Sequence, residues 1–148
     1  MTMGQYFMDV FDIKTSVQAI RSRLAPGRVV HCERNTGKTT ALLEWVHDVL
    51  PEKGVRSVGF ITHDWNSARR LEVEYERRWP EPRDGFNENS ISVKFVPGHE
   101  ITRLLGFASE VVVDEWWKLR EEDQRALRLN WEVLAAVGTL EELMSVPI

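Results

Sequence analysis

The tetrad Gly37-Lys38-Thr39-Thr40 carries the clearest chemistry in this 148-residue chain. It falls between a short apolar run ending at Cys32 and a stretch whose apolar residues recur at helical spacing. A triphosphate needs backbone N–H groups curled around it and the positive end of a helix beneath it. It also needs a lysine that reaches the outer phosphates and a hydroxyl that ligates Mg²⁺. Gly37 permits the close approach, Lys38 is the candidate phosphate cation and Thr39 the candidate metal ligand. The full phosphate-loop pattern opens on a glycine at position 32, where this chain has Cys32. A second constellation is independent of the first. Val111-Val112-Val113 is followed by Asp114-Glu115, an apolar strand delivering two carboxylates to its C-terminal end, where ligands gather in open α/β sheets. Asp114 suits contact with Mg²⁺, and Glu115 suits a base that orients and polarises an attacking water.

The elements that must position these groups can be read from periodicity. Residues 15–24 place Val17, Ile20 and Leu24 on one helical face before Pro26-Gly27 breaks the run. Residues 28–32 read as a strand and residues 38–50 as a helix carrying Leu42, Leu43, Val46, Val49 and Leu50, stopped by Pro51. Residues 55–62 are a second strand. Asp64 is the expected N-cap of a helix whose Ala68, Leu71, Tyr75 and Trp79 share a face. Residues 91–96 alternate as a third strand turned by Pro97-Gly98, and residues 100–105 fit either the return strand of a hairpin or one short helix. After the strand at Val111 comes a helix over residues 120–129, with Glu121, Glu122 and Asp123 in its first turn as the helix dipole prefers. A last strand over residues 131–137 ends at Gly138-Thr139. Alternation of strands and helices, with strands apolar throughout, predicts an α/β fold layered around a mainly parallel sheet.

Composition narrows the class. Hydrophobic residues make up 43% and charged residues 28% of the chain, a balance that excludes disorder, collagen-like repeats and disulfide scaffolds. One domain spanning residues 1–148 is expected. Cys32 is the sole cysteine and cannot form an internal bridge. No stretch approaches the roughly 20 apolar residues needed to span a bilayer, and the N-terminus has no basic region leading into an apolar core; a cytoplasmic protein with no membrane partner is expected. The net charge of −4 is uneven: residues 1–99 hold 14 Lys/Arg against 13 Asp/Glu, residues 100–148 hold 5 against 10. Any nucleic-acid surface therefore belongs to the first two-thirds.

Taken together, the two motifs resemble those of P-loop NTPases of the division that keeps an additional strand between the motifs and a catalytic glutamate after the second. Within that division the chain is most similar to the ATPase domain of viral large terminases and to the first RecA-like lobe of superfamily 1 and 2 helicases. In terminases the first glycine of the loop is often missing and an arginine sits inside it, and the run Cys32-Glu33-Arg34-Asn35-Thr36-Gly37-Lys38-Thr39-Thr40 is similar in that respect. Phe60-Ile61-Thr62, followed by the helix with Ala68 and Arg69, resembles the segment after their second strand. The strand ending in Gly138-Thr139 lies where their coupling motif does. Trp116 and Trp117 depart from the pattern, since a small residue usually follows the second motif.

The resemblance implies a three-layer P-loop NTPase fold with ATP and Mg²⁺ as ligands. Asn35, Thr36, Gly37, Lys38, Thr39 and Thr40 would bind the nucleotide, and Thr39 and Asp114 the metal. Glu115, Lys38 and Arg34 would be catalytic, Arg34 by sensing the γ-phosphate, and Thr139 would be the coupling residue. It also implies a viral or mobile-element nucleic-acid process, with DNA or RNA as partner, the host cytoplasm as the setting if viral, and a homo-oligomer or protein partner supplying an arginine finger. Arg103 and Arg120 are available for that role. Two other functions fit the same residues: an interaction module with little or no turnover, nucleotide-dependent or nucleotide-free, and a small P-loop phosphotransferase.

The remaining features have plainer readings. Arg69, Arg70, Arg77 and Arg78 cluster on one helix but are interleaved with Glu72, Glu74 and Glu76, and Glu74 with Arg78 makes an i,i+4 pair, so a solvated face is expected, with phosphate contact as the alternative. Gln18 reads as a helix-surface residue rather than an adenine contact. The four histidines have no metal-ligand spacing. Trp45, Trp65 and Trp79 read as core. One of Trp116 and Trp117 must leave the sheet end, where it would stack on a base or a partner.

Overall fold

A computed structural model describes residues 10–13, 17–34, 37–80 and 90–145. Six strands form one sheet in the order β1-β2-β6-β5-β3-β4: β1 (Val10–Ile13), β2 (Val29–Cys32), β3 (Ser57–Thr62), β4 (Ser92–Pro97), β5 (Glu110–Val113) and β6 (Glu132–Thr139). Every pairing is parallel. The connections therefore carry helices: α1 (Val17–Arg21), α2 (Lys38–Asp48), α3 (Trp65–Arg78) and α4 (Glu121–Asn130), with α5 (Leu140–Met144) after the last strand. This is the expected α/β architecture of three layers around a parallel sheet. Parallel strands covered on both faces explain why β5 reads as an unbroken apolar run.

The two faces of the sheet build two cores. On one, Val30, Cys32, Val58, Phe60, Val112 and Val137 pack beneath α1, α2 and α3, through Ile20, Leu42, Val46, Ala68 and Leu71. On the other, Val29, Ile61, Val111, Val113 and Ala136 pack against Ile101, Leu104, Leu119 and Leu127. A shift in register between β5 and β6, with Val111 opposite Val133 and Val112 opposite Ala135, lets both Leu134 and Ala135 enter the first core. At Gly59 a side chain would collide with Leu104, so the bare backbone there seats the second layer.

Most element bounds lie within two residues of expectation. Asp64 caps α3, its Oδ1 accepting from the Ser67 N–H at 2.7 Å. Pro51 ends the helical run by opening a 3-10 turn, Pro51–Lys53, closed by Gly54 at φ 84°. The hairpin alternative for residues 100–105 is not taken: Gly98–Leu104 is two short 3-10 turns that meet at a kink at Glu100 (φ −122°, ψ 25°), and Ile101 and Leu104 are buried against β3 and α4. Arg78 does not pair with Glu74; its Nη2 meets Glu44 of α2 at 3.0 Å, and Arg77 takes Glu74 at 2.7 Å. Glu44 also meets Arg21 of α1 at 3.0 Å, so one carboxylate ties three helices together. No helix among the described residues is long and apolar enough to cross a membrane.

Candidate functional site

The site forms where the C-terminal ends of β2, β6, β5 and β3 meet the first turn of α2. Gly37 precedes that turn in the left-handed region, φ 85° and ψ 21°, where glycine alone is unstrained. A Cβ here would also stand 3.0 Å from Val17 Cγ2. Its carbonyl accepts from the Ala41 N–H at 2.9 Å, which starts α2 with Lys38 and Thr39 in the opening turn. Cys32 lies wholly buried in the core beneath α1 and α2. Its side chain is thus a packing element. Glu33 and Arg34 follow in the loop; Asn35 and Thr36 lie outside the described residues.

From the other side β5 supplies two carboxylates whose directions differ. The Asp114 N–H donates to the Ile61 carbonyl at 2.8 Å, extending the sheet by one bond. Its carboxylate accepts from Thr39 Oγ1, at 3.1 Å to Oδ1 and 3.3 Å to Oδ2. Glu115 then adopts φ 57° and ψ 55°, the one non-glycine positive φ among the described residues. Such a conformation is sparsely populated and costs of the order of 1–3 kcal/mol, a strain that characteristically collects at functional sites. The turn it makes swings the Glu115 carboxylate back over the strand ends. Lys38 Nζ meets Oε1 at 2.8 Å, and Thr139 Oγ1 donates to the same carboxylate at 3.1 and 3.0 Å.

The same turn accounts for the tryptophan pair and corrects the expectation that one of the two leaves the sheet. Trp116 is fully buried in the second core. Trp117 is half-buried, stacked on His31 with centroids 5.8 Å apart and laid against Gly138, where an added Cβ would sit 2.8 Å from its Cδ1. Gln124 holds the turn from α4, its Nε2 donating to the Trp116 carbonyl at 2.9 Å.

The electrostatics follow from this enclosure. Lys38, Asp114, Glu115 and Thr139 are all buried. Burial raises the Asp114 pKa from 3.8 to about 6, with repulsion from Glu115 adding to the rise; Lys38, the Thr39 hydroxyl and Arg70 of α3 pull the other way. Among the described residues no three or more His, Cys, Asp or Glu side chains form a metal-holding group. Mg²⁺ usually binds through one or two carboxylates together with waters and substrate phosphates, and one threonine hydroxyl beside one aspartate fits that requirement.

The other candidates are placed as follows. Thr40 is half-buried on α2. Arg34 is exposed, its Nη2 3.0 Å from Glu141 Oε2 of α5. Arg103 pairs with Glu100 at 3.1 Å, and Arg120 with Asp123 and Glu122, each at 2.9 Å. Gln18 is exposed on α1. Thr62, the last residue of β3, is wholly buried, and Arg70 is exposed on α3. A groove of about 610 Å³ lined by Ile101, Leu105, Phe107, Ala126 and Trp131 shares no residue with the site. Comparison with protein-family models, curated proteins and solved structures returned no match to the chain.

Proposed function

We propose that the chain is a Mg²⁺-dependent ATP-binding domain that hydrolyses ATP. One observation carries the reading: Lys38 and Thr39, at the start of α2, meet Glu115 and Asp114 respectively, after β5, across 77 and 75 residues of sequence. The position of β6 between β2 and β5 supports it, because the families the chain resembles keep an additional strand there. Thr139, expected to couple the site to the rest of the molecule, reaches the Glu115 carboxylate.

The roles follow from the chemistry of each group. Without nucleotide, Lys38 is paired with Glu115. An incoming triphosphate takes Lys38 onto its β- and γ-oxygens, while the loop amides and the α2 N-terminus hold the remaining charge. Thr39 and Asp114 would hold Mg²⁺, which when bound neutralises charge on the outer phosphates. Glu115, released by Lys38 but still bonded by Thr139, takes a proton from a water. The water oxygen bonds to the γ-phosphorus as the bond from that phosphorus to the β,γ-bridging oxygen breaks, its electron pair leaving with ADP. The products are ADP and inorganic phosphate.

The setting we infer, on the resemblance to terminases and helicases, is a viral or mobile-element process with DNA or RNA as partner. A nucleotide-gated module with negligible turnover is the second reading; the Lys38–Glu115 pair favours it, since it ties the base to the cation. Equilibrium binding of a fluorescent ATP analogue with Mg²⁺ tests the proposal. Wild type should bind and Lys38→Ala should lose that binding while still melting cooperatively. A wild type that binds no nucleotide overturns both readings, whereas binding without phosphate release selects the second.

A further inference from the structure

The meeting of Arg34 with Glu141 follows from the register of the sheet. β2 and β6 lie side by side in parallel, with Cys32 opposite Thr139 at their C-terminal ends. Two residues past each strand end stand Arg34, in the phosphate loop, and Glu141, in the first turn of α5. Arg34 Nη2 lies 3.0 Å from Glu141 Oε2 across 107 residues of sequence. α5 itself packs on β2, on β6 and on the 3-10 turn Trp116–Lys118 that follows Glu115. It therefore touches both halves of the site.

The other cation of the loop is tied to the same segment. Lys38 Nζ meets Glu115 at 2.8 Å, and that carboxylate accepts from Thr139 Oγ1 at 3.0 Å; Thr139 is the residue from which α5 starts. Each of the two cations assigned to the nucleotide is thus matched with a carboxylate, and both carboxylates connect to residues 139–141. The two pairs differ in how firmly they hold. The Lys38 and Glu115 side chains are 10% and 12% exposed, those of Arg34 and Glu141 61% and 68%. Solvent screens an exposed pair, which then holds weakly. A terminal phosphate, with more charge and more acceptor oxygens than one carboxylate, is the stronger partner for a guanidinium.

We propose that Glu141 occupies Arg34 in place of the γ-phosphate, which makes α5 an autoinhibitory latch on the phosphate loop that a nucleoside triphosphate opens and a diphosphate does not. The proposal rests on the ATPase reading and adds the regulation of that site. When the triphosphate enters, Arg34 turns from Glu141 to the γ-phosphate and α5 loses its tether to the loop. Thr139 keeps its bond to Glu115, so the base stays fixed to β6 while α5 is freed. Hydrolysis removes the γ-phosphate, and the Arg34–Glu141 pair closes again.

A nitroxide label at position 144 reads the latch. Met144 is 80% exposed in the last turn of α5, and the chain's one cysteine, Cys32, is wholly buried, so Met144→Cys presents a thiol that can be labelled selectively. Label mobility is measured without nucleotide, with Mg-ADP and with Mg²⁺ and a non-hydrolysable ATP analogue, alongside the affinity for each nucleotide. The analogue should mobilise the label, and ADP should leave it as in the free protein. Glu141→Gln should be mobile throughout and bind the analogue about 2–5-fold tighter, the range an exposed pair can supply, with ADP affinity unchanged. Arg34→Ala, which leaves the sequence of α5 intact, should also be mobile throughout but bind the analogue more weakly than wild type. Glu74→Gln, which breaks the surface pair with Arg77 on α3, should match wild type. Equal label mobility with the two nucleotides, in a wild type that binds both, overturns the latch alone, as does a Glu141→Gln affinity for the analogue no higher than wild type. A wild type that binds neither nucleotide overturns the ATPase reading and the latch with it.

Discussion

Replacing Asp114 with asparagine should make the nucleotide-free protein more stable. Burial and the neighbouring Glu115 raise the Asp114 pKa from 3.8 to about 6. That shift of roughly two units corresponds to about 3 kcal/mol by which folding disfavours the ionised form. Asparagine keeps an oxygen that accepts from Thr39 and removes the charge, so Asp114→Asn is expected to gain about 1–3 kcal/mol at neutral pH. For a domain of this size the gain would raise the melting temperature by roughly 2–4 °C per kcal/mol. The pH dependence is the sharper signature. A carboxyl whose pKa is raised on folding keeps its proton in the native state while the unfolded chain has lost it. The stability this contributes is therefore whole below about pH 4 and is lost as pH rises through about 6. The difference between variant and wild type should be small at the acid end and reach its plateau above that window. Urea unfolding of both proteins across this range, without nucleotide, is the assay. Added Mg-ATP should then stabilise wild type and not the variant. A variant less stable than wild type at neutral pH, or a difference that does not change with pH, would refute the reasoning.

Three further expectations concern the scaffold. A methyl at Gly59 collides with Leu104, itself fully buried; Gly59→Ala should cost about 1–3 kcal/mol in denaturant unfolding, and combining it with Leu104→Ala should cost less than the two changes summed. Glu110 and Glu132 face each other across β5 and β6, and the Glu110 pKa is raised by burial and then by Glu132. Glu132→Gln should therefore lower the Glu110 pKa in a carbon-detected NMR titration and stabilise the fold by about 0.2–1 kcal/mol. The Tyr75 phenol is pushed up to about 12 by burial, with the Asp48 charge adding to the rise. In a Tyr6→Phe background the phenolate absorbance should appear near that value rather than at the usual value of about 10.

What could be read from the chain was whatever its local pattern encodes. The apolar run of β5, the Asp64 cap of α3 and the helix opening at Lys38 each announce themselves within a few residues, and the parallel sheet follows from their alternation. Both halves of the site were legible for the same reason: each is a strand end with its chemistry attached. What joins them was not. Glu115 has to enter the left-handed region before its carboxylate can reach Lys38 and Thr139, and no glycine flags that turn. The fate of the tryptophan pair depends on it too, because the turn folds Trp116 under the sheet. β1 is four residues long and owes its existence to β2, its partner across the sheet edge. Arg78 chose Glu44 over Glu74 because α2 lies alongside α3, a neighbour that periodicity on one helix cannot reveal.

Lys38 and Glu115 divide the work between binding and water activation, and single-turnover release of phosphate from Mg-ATP by Glu115→Gln separates the two roles. Glutamine preserves an acceptor for Thr139 but cannot take a proton from water. This variant should bind Mg-ATP at least as tightly as wild type, because Lys38 is no longer held by the carboxylate, while phosphate release should fall by at least about 100-fold. Release at the wild-type rate would show that Glu115 is not the base.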